Sequence, residues 1–256
     1  MTEQNSKGAA LVTGGAIRLG KALALRLARE GYDIALHYGR SADAAEATCA
    51  EVRALDVACE TFSHDLADAA GIDGLLDRVH ARFPNLTALV NSASGYTPGT
   101  IAETTPEQFD ELFAVNLKAP LFLMQAFAKR CGNGAVVNVL DNKIAFHQFE
   151  YAAYLLTKKG LADLTRMAAL EFAPTIRVNG VAPGVVLPAG SRSEEYVAWR
   201  VQGIPLQRQG STDHIADAVL AFLDNDFATG QVVMVDGGEG LGQVGRNATQ
   251  FDPDMV

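Results

Sequence analysis

A chain of 256 residues is long enough to bury a sizeable core, as one large α/β domain or two small ones. Hydrophobic residues make up 48% and charged residues 20%, an ordinary globular balance, and the net charge of −9 argues against nucleic acid or an anionic membrane as partner. Cys49, Cys59 and Cys131 are scattered in no metal-ligand spacing, the start MTEQNSKG is polar, and no apolar run nears membrane-spanning length; together these predict reduced thiols in a cytoplasmic protein.

Short apolar runs alternate with helical patterns along the whole chain. Strands are predicted at 9–12, 33–38, 57–62, 86–90, 136–140, 176–181 and 231–235. Helices are predicted at 17–29, 42–55, 69–83, 106–130, 151–172 and 213–223, the long one interrupted near Pro120. Strands alternating with helices imply right-handed crossovers and a parallel sheet covered on both faces. No composition break divides the chain, so the expectation is a single doubly wound α/β domain, with ligands bound beyond the strand ends. A long excursion at 184–212, with Val185, Leu187, Tyr196, Trp199 and Pro205, reads as a substrate loop. The tail at 239–256 is polar and Gly-containing, either disordered or crossing to a partner subunit.

After the first strand comes Thr13-Gly14-Gly15-Ala16-Ile17-Arg18-Leu19-Gly20. Glycines there let the backbone approach a pyrophosphate at the following helix start. A cation such as Arg18 in that first turn is unfavourable unless an anion compensates it. The second strand ends in His37-Tyr38-Gly39-Arg40-Ser41, with no carboxylate where NAD would need one. Arg40, with His37 and Ser41 as further donors, instead suits the 2′-phosphate of NADP(H). Asp65 and Leu66 follow the third strand, where they either meet an adenine or cap the next turn.

Tyr154 and Lys158 stand four residues apart, on one face of a predicted helix. An ammonium beside a phenol lowers the phenol's pKa toward the working range of a general acid or base. Asp141 stands thirteen residues earlier, at the end of a predicted strand. A carboxylate there repels the oxyanion of a ketone being reduced, but supports protonation of a C=N nitrogen, directly or by raising the phenol's proton affinity; the plainer reading is that it caps a turn. Tyr151, seven residues before Lys158, is assigned to lining the pocket. His64, His80 and His214 read as surface or capping residues, and Asp73, Asp77, Asp224 and Asp226 as solvated charge. No cluster suggests a metal.

With these pieces placed, the chain resembles the short-chain dehydrogenase/reductase family over about residues 8–240. The resemblance rests on the glycine turn, Asp65-Leu66, Asn91-Ser92-Ala93, Asn116, the Tyr154/Lys158 pair, Pro183-Gly184 and Val235-Asp236-Gly237-Gly238. It implies a seven-stranded Rossmann sheet, usually assembled as a homotetramer through the long helices. It also implies that Tyr154 donates the proton, that Lys158 lowers its pKa and holds the nicotinamide ribose, and that Asn116 anchors a water relay. Thr13, Gly14, Leu19, Gly20, Asn91, Ala93, Ser94, Pro183 and Gly184 fall among the cofactor contacts. Two departures, Arg18 for a glycine and Asp141 for the catalytic serine, resemble the pteridine reductase branch with its dihydrofolate and dihydromonapterin reductase relatives. In that branch Arg18, Ser94, Tyr96, Asp141 and Tyr154 would meet the substrate, Tyr96 by stacking on a pterin. The expected activity is NADPH-dependent reduction of a pterin or dihydropterin C=N bond. The alternatives are a carbonyl or 3-oxoacyl reductase of the same fold, and a non-catalytic NADP(H)-binding sensor.

Overall fold

The computed structural model describes residues 7–187, 193–242 and 252. Seven strands form one parallel sheet: β1 Ala9–Val12, β2 Asp33–Tyr38, β3 Cys59–Ser63, β4 Leu86–Asn91, β5 Gly134–Val139, β6 Ile176–Pro183 and β7 Val232–Val235. Their order is β3-β2-β1-β4-β5-β6-β7, so the winding direction reverses between β1 and β4. Such a reversal opens a crevice at the carboxyl ends of the strands.

Side-chain alternation along each strand sorts the core into two layers. From β1, Ala10 and Val12 face α1 Arg18–Arg29 and α8 Thr212–Asp224, packing with Leu23, Leu27, Ile215 and Val219. Ala9 and Leu11 face the opposite layer, where Leu75 and Val79 of α3 Ile72–Arg82 meet Leu123 and Phe127 of α5 Ala119–Arg130. α2 Ala42–Arg53 belongs to the first layer, while α6 Ala152–Phe172 joins the second through Ala168 and Ala169. Leu23, Leu75, Leu123 and Phe127 are fully buried, and each such side chain contributes about 1.5–3 kcal/mol of transfer free energy.

The long helix expected over 106–130 runs without a break from Pro106 to Arg130, with a change of winding in its middle. Thr105 caps α4 Pro106–Phe113 by accepting from the Gln108 amide at 3.2 Å, with Pro106 in the first turn. Residues Ala114–Lys118 then widen into a π turn. Pro120 follows that π turn directly, in the first turn of α5. The 184–212 excursion contains a helix of its own, α7 Glu194–Val201, started by Ser193 accepting from the Tyr196 amide at 3.2 Å. Residues 188–192 of that excursion, and the tail at 243–251 and 253–256, lie outside the described residues.

Asp73 and Asp77 are not merely solvated: both pair with Arg130, tying α3 to α5. Asp224 likewise pairs with Lys7 at 3.0 Å. His214 caps α8, its Nδ1 accepting from the Ser211 amide at 2.9 Å. All three cysteines are free and buried. Among the described residues no helix is long and apolar enough to cross a membrane, and no side-chain cluster is suited to a metal ion.

Candidate active site

A cavity of about 790 Å³ runs along the carboxyl edge of the sheet, from Arg40 and Asp65 to Tyr154 and Arg200. Its floor is the turn after β1. Gly14 has φ +64, and a Cβ there would lie 2.9 Å from the Ala93 backbone. A Cβ on Gly20 would sit 2.1 Å from the Gly14 carbonyl, so the turn closes only with glycine at both places. Thr13 is buried beneath it, its Oγ1 accepting from the Ser92 and Ala93 amides at 3.0 and 3.1 Å. Thr13 thus joins the turns after β1 and β4 and does not itself line the cavity.

Arg18 adopts φ +52, the left-handed conformation that favours glycine. Its guanidinium donates to the Leu187 carbonyl at 2.7 Å, bridging the cavity to the excursion after β6. The N-cap residue of α1, Ile17, has no side-chain cap, and the first turn carries no acidic residue. The amides there keep their capacity for an anion.

His37 departs from the expectation of a phosphate donor. It is buried, its Nδ1 accepts from the Gly14 amide at 3.2 Å, and its Nε2 faces the His64 carbonyl at 3.0 Å. Both nitrogens are committed, which fixes the neutral tautomer with the proton on Nε2. Burial pushes its pKa down to about 4. His37 shapes the glycine turn, and the donors left at this end are Arg40 and Ser41, lining the cavity with Tyr38. Arg40 is exposed. Asp65 accepts from the Ala67 amide at 3.0 Å, capping its turn, and both Asp65 and Leu66 line the cavity.

Asn91 and Asn116 also stand behind the wall rather than in it. Asn91 Nδ2 donates to Asn138 Oδ1 at 2.8 Å, joining β4 to β5. Asn116, in the π turn, clasps Gly95: Oδ1 accepts from its amide at 2.7 Å and Nδ2 donates to its carbonyl at 2.9 Å. Its Nδ2 also reaches Thr157 Oγ1 at 3.2 Å, which ties the loop after β4 to α6. The amide is thus occupied by protein partners and positions Ser94 and Tyr96 nearby.

At the other end Tyr154 donates to Asp141 Oδ2 at 2.8 Å. Asp141 Oδ1 accepts from the Lys143 amide at 2.8 Å, so the carboxylate both caps its turn and receives the phenol. The pKa of Tyr154 is pushed well above its ordinary value by burial and by Asp141. This reverses the expectation that Lys158 lowers it. Lys158 Nζ donates to the Val139 carbonyl at 2.9 Å and lies 5.8 Å from the Tyr154 ring centre, while Asp141 touches the hydroxyl directly. Burial in turn lowers the Lys158 pKa to about 8, opposed by Asp141. The hydroxyl is therefore a phenol, ready to give a proton rather than to take one.

Tyr96 stacks on Tyr151 at 4.7 Å between ring centres and meets Tyr154 edge-on at 4.8 Å. A bridge between Gly99 and the start of α6 holds this arrangement, with Gly99 N to Glu150 O at 2.8 Å and Ala152 N to Gly99 O at 3.0 Å. Ser94, Pro183, Gly184, Leu19 and Gly20 line the cavity. Arg200 lines it too and was missed. Its partner Glu239 lies in the turn after β7, so only the packed fold brings these opposite charges together.

Comparison with known proteins agrees with this arrangement. A family model described as enoyl-(acyl carrier protein) reductase matches residues 15–239. The 3-oxoacyl-[acyl-carrier-protein] reductase FabG of Staphylococcus aureus (strain N315) is 34% identical over 238 residues, covering 90% of this chain and 96% of that protein. FolM alternative dihydrofolate reductase 1 from Brucella canis, solved in complex with NADP, superimposes with a TM-score of 0.88 at 31% identity, over 98% of both chains. The Brucella suis enzyme, also with NADP, gives 0.88 at 32% identity over 97% of this chain and 98% of its own. A seven-stranded parallel sheet, a glycine turn under an open cavity and a buried Tyr–Lys pair, together with relatives that match nearly end to end, place this chain in the short-chain dehydrogenase/reductase family of oxidoreductases.

Proposed function

We propose that the protein is an NADPH-dependent reductase of a C=N bond in a dihydropterin or related pteridine. The observation that carries this reading is the 2.8 Å hydrogen bond from the Tyr154 hydroxyl to Asp141, where family resemblance leads one to expect a serine. A serine hydroxyl donates to a carbonyl oxygen as it gains negative charge; a carboxylate repels that oxygen. A ring nitrogen becoming N–H needs a proton and tolerates a neighbouring anion. Tyr154 supplies that proton, and Asp141 holds the phenol protonated until transfer and then helps return a proton from solvent.

The cradle fits a phosphorylated dinucleotide. Arg40 is exposed, lines the cavity and has no hydrogen bond or ion pair among the described residues, which leaves its fork, with Ser41, for a 2′-phosphate. Amides of the glycine turn and the uncapped α1 start would hold the pyrophosphate, Asp65 and Leu66 the adenine, and Lys158 the nicotinamide ribose. The nicotinamide supplies hydride when bound. The FolM structures, described as alternative dihydrofolate reductases with NADP, support both the cofactor and the pteridine reading.

A second reading, 3-oxoacyl reduction, has the FabG relatives in its favour. Exposed Leu156, Met167 and Leu170 on α6 support a homotetramer assembled through the long helices. The functional test is cofactor oxidation, followed by the loss of reduced-nicotinamide absorbance, with dihydropterins, dihydrofolate and a ketone panel. The reading expects pterin-dependent oxidation of NADPH that NADH does not sustain. Turnover with ketones or 3-oxoacyl thioesters alone would replace it with the second reading.

A further inference from the structure

The substrate end contains a charged residue that neither proton transfer nor the cofactor cradle uses. Arg200, on α7, lines the cavity with its side chain only 6% exposed. Its Nη2 is ion-paired with the enclosed Glu239. Its Nη1 is buried and has no hydrogen-bond partner among the described residues. A guanidinium stays charged and carries five N–H donors, and a buried donor left unmet is costly.

The side chain is held from behind. Glu239 Oε2 accepts from Asn142 Nδ2 at 2.9 Å, and Asn142 also reaches Asp236 Oδ2 at 3.3 Å. Asn142 follows Asp141 in the turn after β5. Three segments, α7 and the turns after β5 and β7, thus converge around one guanidinium. Arg200 lines the cavity at this point, and Nη1 is the one of its two terminal nitrogens left without a partner among the described residues.

We propose that Arg200 is a specificity-determining residue whose Nη1 donates to a neutral oxygen of the substrate, a lactam carbonyl or a hydroxyl, and that the Arg200–Glu239 pair disfavours a carboxylate there. The pair is neutral overall, so it offers a directed donor without a net positive field. A carboxylate in the same place would lie near Glu239, which is paired with the same guanidinium, and be repelled. This inference rests on the pteridine reading, since a dihydropterin carries a ring carbonyl and its hydroxyalkyl derivatives carry hydroxyls as well.

The test is steady-state kinetics of wild type, Arg200→Met, Arg200→Lys and Glu239→Gln, with NADPH. Three dihydropterins are compared, bearing a methyl, a hydroxyalkyl or a carboxyl substituent. Arg200→Met raises KM roughly ten- to a hundredfold, with kcat within about threefold and NADPH affinity unmoved. Arg200→Lys recovers part of that loss. A loss on both neutral substrates assigns the ring carbonyl as acceptor, and a loss on the hydroxyalkyl compound alone assigns the hydroxyl; either supports the proposal. Wild type uses the carboxylated compound poorly, and Glu239→Gln narrows that gap by about tenfold. Unchanged KM in Arg200→Met, or a wild-type preference for the carboxylated compound, overturns the proposal. So does a joint fall in kcat, NADPH affinity and thermal stability, which marks a role in docking α7 only. Should Arg200→Met fail to fold, the Lys and Gln variants carry the same comparison. A wild type that reduces no dihydropterin sinks the functional reading and this inference together, whereas turnover indifferent to Arg200 sinks the inference alone.

Discussion

At the Arg40 end of the cavity the ligand-facing surface is mostly backbone and small side chains, with Gly14 and Gly20 closing the turn and exposed Arg40 at the rim. At the Tyr154 end it is side chains: the buried phenol of Tyr154, the buried cations Lys158 and Arg200, and the partly buried carboxylate of Asp141. On the proposed function the first end would bind by shape and by oriented amides, which tolerate little change of residue but need no tuned protonation. The second depends on the protonation states of Tyr154 and Lys158, and one substitution there changes which chemistry is favoured. Affinity and reaction are thereby assigned to different ends of one cavity, and variants at the two ends should fail in different ways.

Tyr154→Phe removes the proton donor. It should lower kcat for any substrate roughly a hundred- to ten-thousandfold, measured by stopped assays at saturating NADPH. A fall below about tenfold would mean that another group donates.

His37 tests the opposite end through stability. Folded, it titrates at about 4, against about 6.5 in an unfolded chain. Between these values the unfolded chain binds a proton that the folded one refuses. Stability is therefore lost as the pH falls through that window, by about 3 kcal/mol. His37→Gln should abolish this part of the loss, read as the difference between urea unfolding at about pH 7 and about pH 4 in each protein. Parallel losses in both proteins would show that His37 is not the buried neutral ring described.

Arg40→Ala should weaken NADPH binding roughly ten- to a hundredfold and NADH binding by less than about twofold. Fluorescence titration of the two cofactors measures this, and equal losses would remove Arg40 from the 2′-phosphate. A smaller change is expected from Asp141→Asn, which keeps the shape and removes the charge. The basic limb of the kcat/KM profile should move to lower pH, because Asp141 is one of the groups raising the Tyr154 pKa. A limb that stays put would detach the phenol from the carboxylate.

The contiguous half of this site was legible in the sequence. Thr13–Gly20 and Tyr38–Ser41 are unbroken runs whose residue types suit a tight turn and a phosphate, and alternation of short strands with helices points to the parallel sheet. Arg18 was recognised as out of place, but not that it occupies a left-handed conformation suited to glycine. His37 was misjudged because its two partners, the Gly14 amide and the His64 carbonyl, are backbone groups with no sequence signature. Spacing sets two opposed effects on the Tyr154 phenol, a lowering by Lys158 and a raising by Asp141, and it takes the fold to show that Asp141 reaches the hydroxyl while Lys158 stands off from the ring. Arg200 and Glu239 meet only after α7 folds over the cavity, a helix hidden in what reads as a loop.

The most direct test of the account is the ratio of dihydropterin to ketone turnover, kcat/KM for each, in wild type and in Asp141→Ser. The account predicts a wild type that favours the dihydropterin and a variant in which that preference falls by about tenfold or more, through slower pterin reduction and faster ketone reduction. A ratio unchanged by the substitution, or a wild type that already favours ketones, would contradict the claim that Asp141 commits this site to a C=N bond.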